Sequence, residues 1–527
     1  MQRKIRVALA ISATVVVAAV LICRPSSAAK TAAKHEYPPT PSAWTGHNMQ
    51  LAKYQLAPGY PAYGAHPRYL GELKGTWNEI GRQYGEKAGD LIKLTFEGWY
   101  KELFPVQGSN QAIRDYVHRE EAYYSALVPE ALEMMKGIAE GAKEDLDSSA
   151  YANTMPNYEK ILMINSYYGL QGKPPGVKPV ASDGPACSGA VIFGAATKDH
   201  KAIHVSSEDQ HFFPQEYLVT FVVNPSDRHA HKFTVTDTAG EIGSEHAMND
   251  AGVTVSGYAG GSVDIASPTA AAPFSGYRRP GLDWQLGDFY AAAFASTARQ
   301  AVELLTVGRP EYREQSGNKI VIGKCKQGAN WVVSDKGGAY VVESIPADEK
   351  GVARYAVRKP GDMGETGANY IVSTNNVEAN YSCDENNICD QSHPMSQHGH
   401  YSHNPAQLGL NGTGTRFWTF MWLIHNNYGN ITPEMVKEWR SAHYVYDVEG
   451  AKHDTLLVDG KEISPNLVPK VGTLCAHSSG PAGVDTLQGV NTYVSLSTPD
   501  NLTVYRTVGR PCEWVGPWDR LSLLRTP

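Results

Sequence analysis

Cys187, in Asp183-Gly184-Pro185-Ala186-Cys187-Ser188-Gly189, stands where one kind of local pattern stops and another begins. Upstream the sequence reads as helices, and immediately downstream it breaks into short β-rich runs joined by turns. A thiol on such a seam can become a new N-terminus. Cutting the Ala186–Cys187 bond would give Cys187 both a sulfur nucleophile and a free α-amino group, enough for covalent catalysis without a separate histidine base.

The first residues and the cysteines bear on the compartment in which the chain folds. Gln2-Arg3-Lys4-Ile5-Arg6 is basic, Val7 to Ile22 is apolar, and Ser27-Ala28-Ala29 offers small residues for cleavage, so residues 1–29 read as a secretory signal. An uncleaved anchor is the alternative, since an apolar span of ~20 residues can cross a bilayer. Cys23 as a lipid-modified start is disfavoured by its bulky neighbour Ile22. Secretion to the periplasm or the medium places Cys187, Cys325, Cys383, Cys389, Cys475 and Cys512 where disulfides persist. Cys383 with Cys389 would close a polar loop, Cys475 with Cys512 is a second possible pair, and Cys325 is then left over. Asn380, Asn411, Asn430 and Asn501 stand in glycan-acceptor patterns that matter only in a eukaryotic host. A formal charge of −7 without basic runs argues against nucleic acid as the main partner. The 50 Gly, 29 Tyr and 10 Trp suit a turn-rich, aromatic-lined β protein better than a helical bundle.

Residues 30–65, rich in Ala, Pro, Tyr and Gly, read as a linker or extended arm. Residues 66–186 read as helical. Thr76-Trp77-Asn78-Glu79 is a capping-box pattern, and Gly81, Gly85 and Gly89 fall on one stripe of the helix it starts. Such a stripe permits close backbone packing, although a glycine-rich chain can produce it by chance. Further helices are predicted over 112–127, 129–142 and 159–168. After Cys187 strands are predicted over 190–193, 202–205, 217–223, 232–236, 253–256, 331–334, 339–343 and 370–373. One long helix is expected over 282–305, and two more over 416–426 and 433–442, the last capped by Thr432 with Pro433 in its first turn.

Several motifs occur in an ordered series: Ala186-Cys187-Ser188-Gly189-Ala190 entering a hairpin, Met248-Asn249-Asp250-Ala251-Gly252-Val253, Asn330-Trp331-Val332-Val333-Ser334-Asp335-Lys336-Gly337-Gly338, and Thr374-Asn375-Asn376 after a strand. The series resembles the N-terminal-nucleophile hydrolases of the acyl-coenzyme A:6-aminopenicillanate (isopenicillin N) acyltransferase type, and more weakly the choloylglycine hydrolases and penicillin V acylases. The resemblance runs from about Gly75 to Trp518 and takes in Gly137-Ile138-Ala139-Glu140-Gly141, Cys475-Ala476-His477 and Gly509-Arg510-Pro511-Cys512. It implies an α+β fold, a four-layer αββα sandwich preceded by a helical propeptide, with residues 66–186 as small chain and 187–527 as catalytic large chain. It also implies autocatalytic cleavage before Cys187 and acyl transfer through a thioester. A free α-amino group, with a pKa near ~7.7, can then take the thiol proton.

The same resemblance suggests the rest of the site. Asp209 falls where the family places an aspartate that holds the new amino terminus or substrate, with Glu208 as a rival, because Ser207 replaces the usual asparagine. Asn375 matches the family's oxyanion donor, although Asn376 replaces the histidine that commonly follows. Tyr258 lies where relatives line the pocket, and Arg416 matches an arginine that can bind a substrate carboxylate. Each has a plainer reading: solvated acids, a turn asparagine, a core tyrosine, a structural ion pair. His204, His211 and His246 offer a papain-like Cys–His pair instead. The groups His211, His229, His231 and His398, His400, His403 lie in polar loops without a recognised ligand frame, so no metal or cofactor is expected.

The reading is therefore a secreted, self-processed cysteine hydrolase of linear amides, such as N-acyl amino acids, with possible transfer to an acceptor amine. Its partners would be a small acyl-amide substrate and the retained propeptide chain, with neither nucleic acid nor stable membrane insertion. A phospholipase B-like lipid hydrolase and a non-catalytic secreted binding protein are the alternatives.

Overall fold

The structure, a computed structural model, describes residues 68–170, 187–210, 217–259, 283–307, 329–345, 354–362, 369–375, 382–383, 389–390, 412–447, 449–468, 472–476, 490–514 and 517–524. The expected signal peptide and arm, Cys325, His211, and His398, His400 and His403 lie outside the described residues. No described helix is long and apolar enough to cross a membrane.

The region expected to be purely helical opens with a strand, β1 (Arg68–Gly75), followed by α1 (Trp77–Gln107), α2 (Asn110–Leu127), α3 (Pro129–Gly141), α4 (Lys143–Asp147), α5 (Asn157–Ile164) and α6 (Tyr167–Leu170). The predicted capping box starts α1: Glu79 N–H donates to Thr76 Oγ1 at 3.3 Å, and Thr76 N–H donates to Glu79 Oε2 at 2.8 Å. The glycine stripe is a contact surface. A Cβ on Gly81 would lie 2.0 Å from the Met134 carbonyl oxygen, one on Gly85 2.4 Å from that of Ile138, and one on Gly137 2.0 Å from that of Asn78. Helices α1 and α3 thus cross backbone against backbone, which no side chain larger than hydrogen permits.

Past the seam come β2 (Ser188–Ile192), β3 (Ile203–Gln210), β4 (Leu218–Pro225), β5 (Phe233–Thr238), β6 (Ala247–Met248) and β7 (Thr254–Ala259). Then follow α7 (Trp284–Phe294), α8 (Ala298–Val307), β8 (Ala329–Asp335), β9 (Gly338–Ile345), β10 (Arg354–Arg358) and β11 (Tyr370–Thr374). The small pair β12 (Ser382–Cys383) and β13 (Cys389–Asp390) precedes α9 (Gly412–Asn426) and α10 (Pro433–Arg440). Two ribbons, β14 (Val445–Tyr446) with β15 (Lys452–His453) and β16 (Leu456–Val458) with β17 (Lys461–Ile463), lead to β18 (Val490–Thr498), β19 (Thr503–Val508) and β20 (Asp519–Ser522). The eight strands predicted after Cys187 are present as β2–β5, β7–β9 and β11, whereas β18–β20 were not expected. The long helix predicted over 282–305 is two. Asp335 Oδ2 accepts the Ala298 N–H at 2.8 Å, and Thr297 Oγ1 accepts that of Gln300 at 3.1 Å, so side chains start a new helix where the pattern alone runs on.

Six strands pair in the order β11-β2-β3-β18-β19-β20 and five in the order β10-β9-β8-β7-β6, while β1 adds parallel to β4 in a smaller sheet with β5. Strand β2 is buried along its whole length, and its side chains divide by the period of two. Ala190 and Ile192 pack with Phe417, Phe420 and Trp439 of α9 and α10. Cys187 and Val191 face the other way and pack with Ile371 and with Tyr258, Val332 and Val341 of the five-stranded sheet. The far side of that sheet shares one core with α7, α8 and the N-terminal helices, in which the Trp77 and Phe289 rings are 5.3 Å apart. The chain is thus an α+β protein whose two larger sheets face each other across Cys187.

Candidate active site

Cys187 enters β2 with no solvent exposure. Burial first, then the negative charge of Asp209, pushes its thiol up to about 12, opposed by the Asp209 backbone amide that donates to the sulfur and by the Arg416 guanidinium. In this setting the sulfur is a thiol, and it donates to Glu245 Oε2 over 4.0 Å. Burial, with Glu208 and Cys187 beside it, holds the Glu245 carboxyl well above the usual range, and Glu208 hydrogen-bonds it. Both acids are therefore neighbours of the sulfur from inside the protein. Glu245 was not singled out by sequence. Its loop is fixed by the N-terminal helices: Gly240 N–H donates to Tyr84 Oη at 2.7 Å, Asn165 Nδ2 donates to Gly240 O at 2.9 Å, and Ile242 N–H donates to Asn165 Oδ1 at 3.0 Å.

Asp209 lies on β3, fully buried, so the solvated-acid reading fails for it and for Glu208. The pairing of β3 with β18 shifts register between Asn491 and Tyr493, which sets Asn491 opposite Asp209. Asn491 Nδ2 donates to Asp209 Oδ1 at 2.5 Å, and Asn491 Oδ1 accepts the Ala476 N–H at 2.9 Å. Burial raises the Asp209 carboxyl above its ordinary value, while Arg416, Arg440 and Asn491 oppose the shift. Glu208 faces Glu245 and Asp209 faces the two arginines, so the rivals have different surroundings.

Arg416, in α9, is buried and spans the site. Its Nη2 donates to Asn375 Oδ1 at 3.0 Å and to the Cys187 carbonyl at 3.4 Å. Sequence reading offered it to a substrate carboxylate; the fold turns it inward as a strut between nucleophile and amide. With Asn375 Oδ1 held by that guanidinium, Nδ2 is the donor end of the amide. Tyr258, on β7, brings its hydroxyl over Gly189, where a Cβ would stand 2.1 Å away. Burial pushes the Tyr258 hydroxyl up, so it is a phenol and a donor. Arg440 adds a second cation, donating from Nη1 to Ser188 Oγ at 3.1 Å. The five residues expected at the site, Cys187, Asp209, Tyr258, Asn375 and Arg416, are brought together; Glu245, Asn491 and Arg440 are additions that only the packing reveals.

The papain-like alternative finds no support among the described histidines. His204 shares its ring nitrogens with Ser334 Oγ at 2.8 Å and Ser256 Oγ at 3.0 Å, and His246 with Ser256 Oγ at 2.8 Å and Ser497 Oγ at 2.6 Å. The ring nitrogens of both are spent on hydroxyls, and burial pushes the His204 imidazole down to about 3. His231 bonds Asp250 and Ser296 at 2.9 Å each, and His229 accepts from Arg228, so this pair does not converge on a metal. Cys383 and Cys389 face each other in the β12–β13 register, the backbone arrangement a local disulfide needs.

No protein-family model matches the sequence, and no curated protein does. Solved structures with distant similarity include an acylase and a hydrolase. Penicillin V acylase from Agrobacterium tumefaciens matches at 13% identity over 61% of this chain and 83% of that one, with a TM-score of 0.32. A mutant of conjugated bile acid hydrolase from Clostridium perfringens matches at 13% identity over 61% and 89%, with a TM-score of 0.31. A superposition this loose says nothing of reaction or substrate; what Cys187 can do follows from its own surroundings.

Proposed function

We propose that this protein is a self-processing cysteine hydrolase of linear amides whose nucleophile is Cys187 once it is released from Ala186. The observation that carries the reading is the strut of Arg416, which joins the Cys187 carbonyl to the Asn375 amide, with Tyr258 packed against Cys187 and the Asp209 backbone amide donating to its sulfur. In the first stage the Cys187 sulfur attacks the Ala186 carbonyl, the chain shifts from nitrogen to sulfur, and water hydrolyses that thioester. One chain then ends at Ala186 and the other begins with the amine of Cys187.

In the second stage the α-amine takes the thiol proton and the thiolate adds to the substrate amide carbonyl. The negative oxygen is met by Asn375 Nδ2, with the Tyr258 hydroxyl as a second donor. Removing one such donor costs on the order of 10²-fold in rate. The α-ammonium, held by Asp209, returns its proton to the leaving amine. Water, or an acceptor amine, then releases the acyl group from sulfur. A buried thiol pushed up to about 12 needs a nearby proton acceptor for turnover, and after cleavage the α-amine supplies one locally.

On this reading the facing sheets, with α7 and α8 outside one and α9 and α10 outside the other, are the layers of an αββα sandwich. Residues 66–186 are a propeptide that stays bound, which β1 on β4 and the clamp of Tyr84 and Asn165 on the Glu245 loop support. The signal at residues 1–29 directs the chain out of the cytoplasm, and an N-acyl amino acid is the substrate class proposed. Wild type and Cys187→Ala are purified and their N-termini read by mass spectrometry, then assayed against a panel of N-acyl amino acids and against phospholipid vesicles. A fragment starting at Cys187, amide hydrolysis by wild type alone and no lipid release are expected; an uncut, inactive wild type refutes the reading.

A further inference from the structure

Three segments far apart in sequence meet near Arg440. His443 follows α10, Cys475 sits in the segment 472–476, whose Cys475 N–H donates to Ala442 O at 3.4 Å, and Cys512 lies in the turn Pro511–Glu513. One ring nitrogen of His443 and the two sulfurs all lie within 4.8 Å of one another. Among the described residues no other three His, Cys, Asp or Glu side chains gather so closely, the buried acids near Cys187 included. We propose that His443, Cys475 and Cys512 bind one thiophilic divalent cation of the zinc type.

The geometry is close to what such an ion requires. Zinc–sulfur bonds of ~2.3 Å and zinc–nitrogen bonds of ~2.0–2.1 Å in a tetrahedron set ligand atoms roughly 3.5–3.8 Å apart, so the trio closes by about 1 Å through side-chain rotation. Cys475 is buried and Cys512 exposed, which provides a fixed ligand and a way in. The second observation is Arg440. It is fully buried, it spends Nη1 on Ser188, and its Nε and Nη2 have no hydrogen-bond partner among the described residues. Its charge acts first on Asp209 and then on Cys475, so it stands between the candidate active site and the trio. Buried N–H groups of a guanidinium call for an anionic acceptor, and a metal-bound thiolate is one, whereas a disulfide sulfur is neutral and weak. A disulfide would also give no reason for the imidazole of His443 to stand against both sulfurs.

Loading exchanges two thiol protons for one cation, giving a neutral bis-thiolate imidazole centre with a fourth position for water, so affinity rises with pH. The ion would brace the candidate active site at one remove. Cys475 precedes Ala476, whose N–H holds Asn491, which in turn donates to Asp209.

The test uses the full chain, purified reduced and metal-free, then given zinc or cobalt and dialysed. About one metal per chain by mass spectrometry, a sulfur-to-cobalt charge-transfer band and protection of two thiols from alkylation are expected. Cys512→Ser and His443→Gln should each lower retained zinc at least tenfold, while Cys187→Ala keeps it. His443→Gln alters only a half-buried side chain, so it serves if the serine variant fails to fold. A Cys475–Cys512 linked peptide that persists whatever the metal supply, or zinc retention indifferent to both variants, overturns the proposal.

Discussion

Asn491 joins Asp209 to the Ala476 backbone: one end of its amide donates to the carboxylate and the other accepts the N–H at 2.9 Å. The link depends on the register shift in β18: Tyr493 pairs with Glu208, so an unbroken antiparallel ladder would set Thr492, not Asn491, opposite Asp209. Asp209 is buried, so a lost donor is not replaced by water.

Asn491→Ala should therefore raise the Asp209 carboxyl further and, under the proposed mechanism, loosen its hold on the Cys187 amine. The loss of a hydrogen bond to a buried charge is worth about 1–3 kcal/mol, or roughly 5- to 150-fold in kcat/KM. Rates on an N-acyl amino acid with fully processed enzyme check this; unchanged rates would remove Asp209 from the mechanism.

Asp288 gives a pH prediction whose sign is set by burial. Both its carboxyl oxygens are buried without a hydrogen-bond partner among the described residues, and burial, then the charge of Asp237, holds its pKa well above the ordinary value. Burial likewise lifts Asp237 to about 7. A carboxyl raised in the folded state stabilises fully below its unfolded pKa of ~3.9, and that contribution is lost as pH climbs through the raised value. Asp288→Asn should match wild type in Tm near pH 4 and exceed it by several degrees near pH 8. Equal Tm values at both pH values would contradict the assignment.

The histidine chain between the sheets is structural, and activity can show it. His204→Gln keeps an amide able to bond Ser334 and Ser256, so processing and turnover should stay within a few-fold while Tm falls. Burial depresses the His204 imidazole, so this group stabilises above its unfolded value of ~6.5 and that contribution is lost as pH falls toward 3. Complete inactivation of a folded His204→Gln would instead revive a Cys–His pair.

Gly81→Ala probes the helix crossing. Its Cβ would stand 2.0 Å from a backbone oxygen that cannot rotate away, so α1 and α3 must separate, at a cost of about 2–3 kcal/mol. Gly338→Ala, with nothing within 4 Å of the new Cβ, is the control and should change stability by less than ~0.5 kcal/mol. Denaturant melts of both variants decide it, and equal midpoints would argue against the close crossing.

What could be read along the chain was what is local. Thr76 and Glu79 announce a helix start because a capping box needs only residues three apart, and the alternation of Ala190, Val191 and Ile192 marks a strand with two covered faces. Cys187 was legible for the same reason, as a thiol at a change of rhythm. Asp209, Asn375, Tyr258 and Arg416 were singled out by their neighbours in sequence, but the groups they touch were not. β18 escaped notice because its Asn, Thr and Ser residues read as polar, and only the fold pairs Asn491 with Asp209 and Ser497 with His246. Glu245 sits in a Gly-Ser-Glu-His turn that looks solvated until Tyr84 and Asn165 fasten its loop beneath the sulfur. Local pattern sets which elements form, since backbone preference and side-chain period act over a few residues. Which acid meets the thiol, and which way Arg416 points, was decided by packing, because burial and the pairing of distant groups exist only once the sheets have closed on each other.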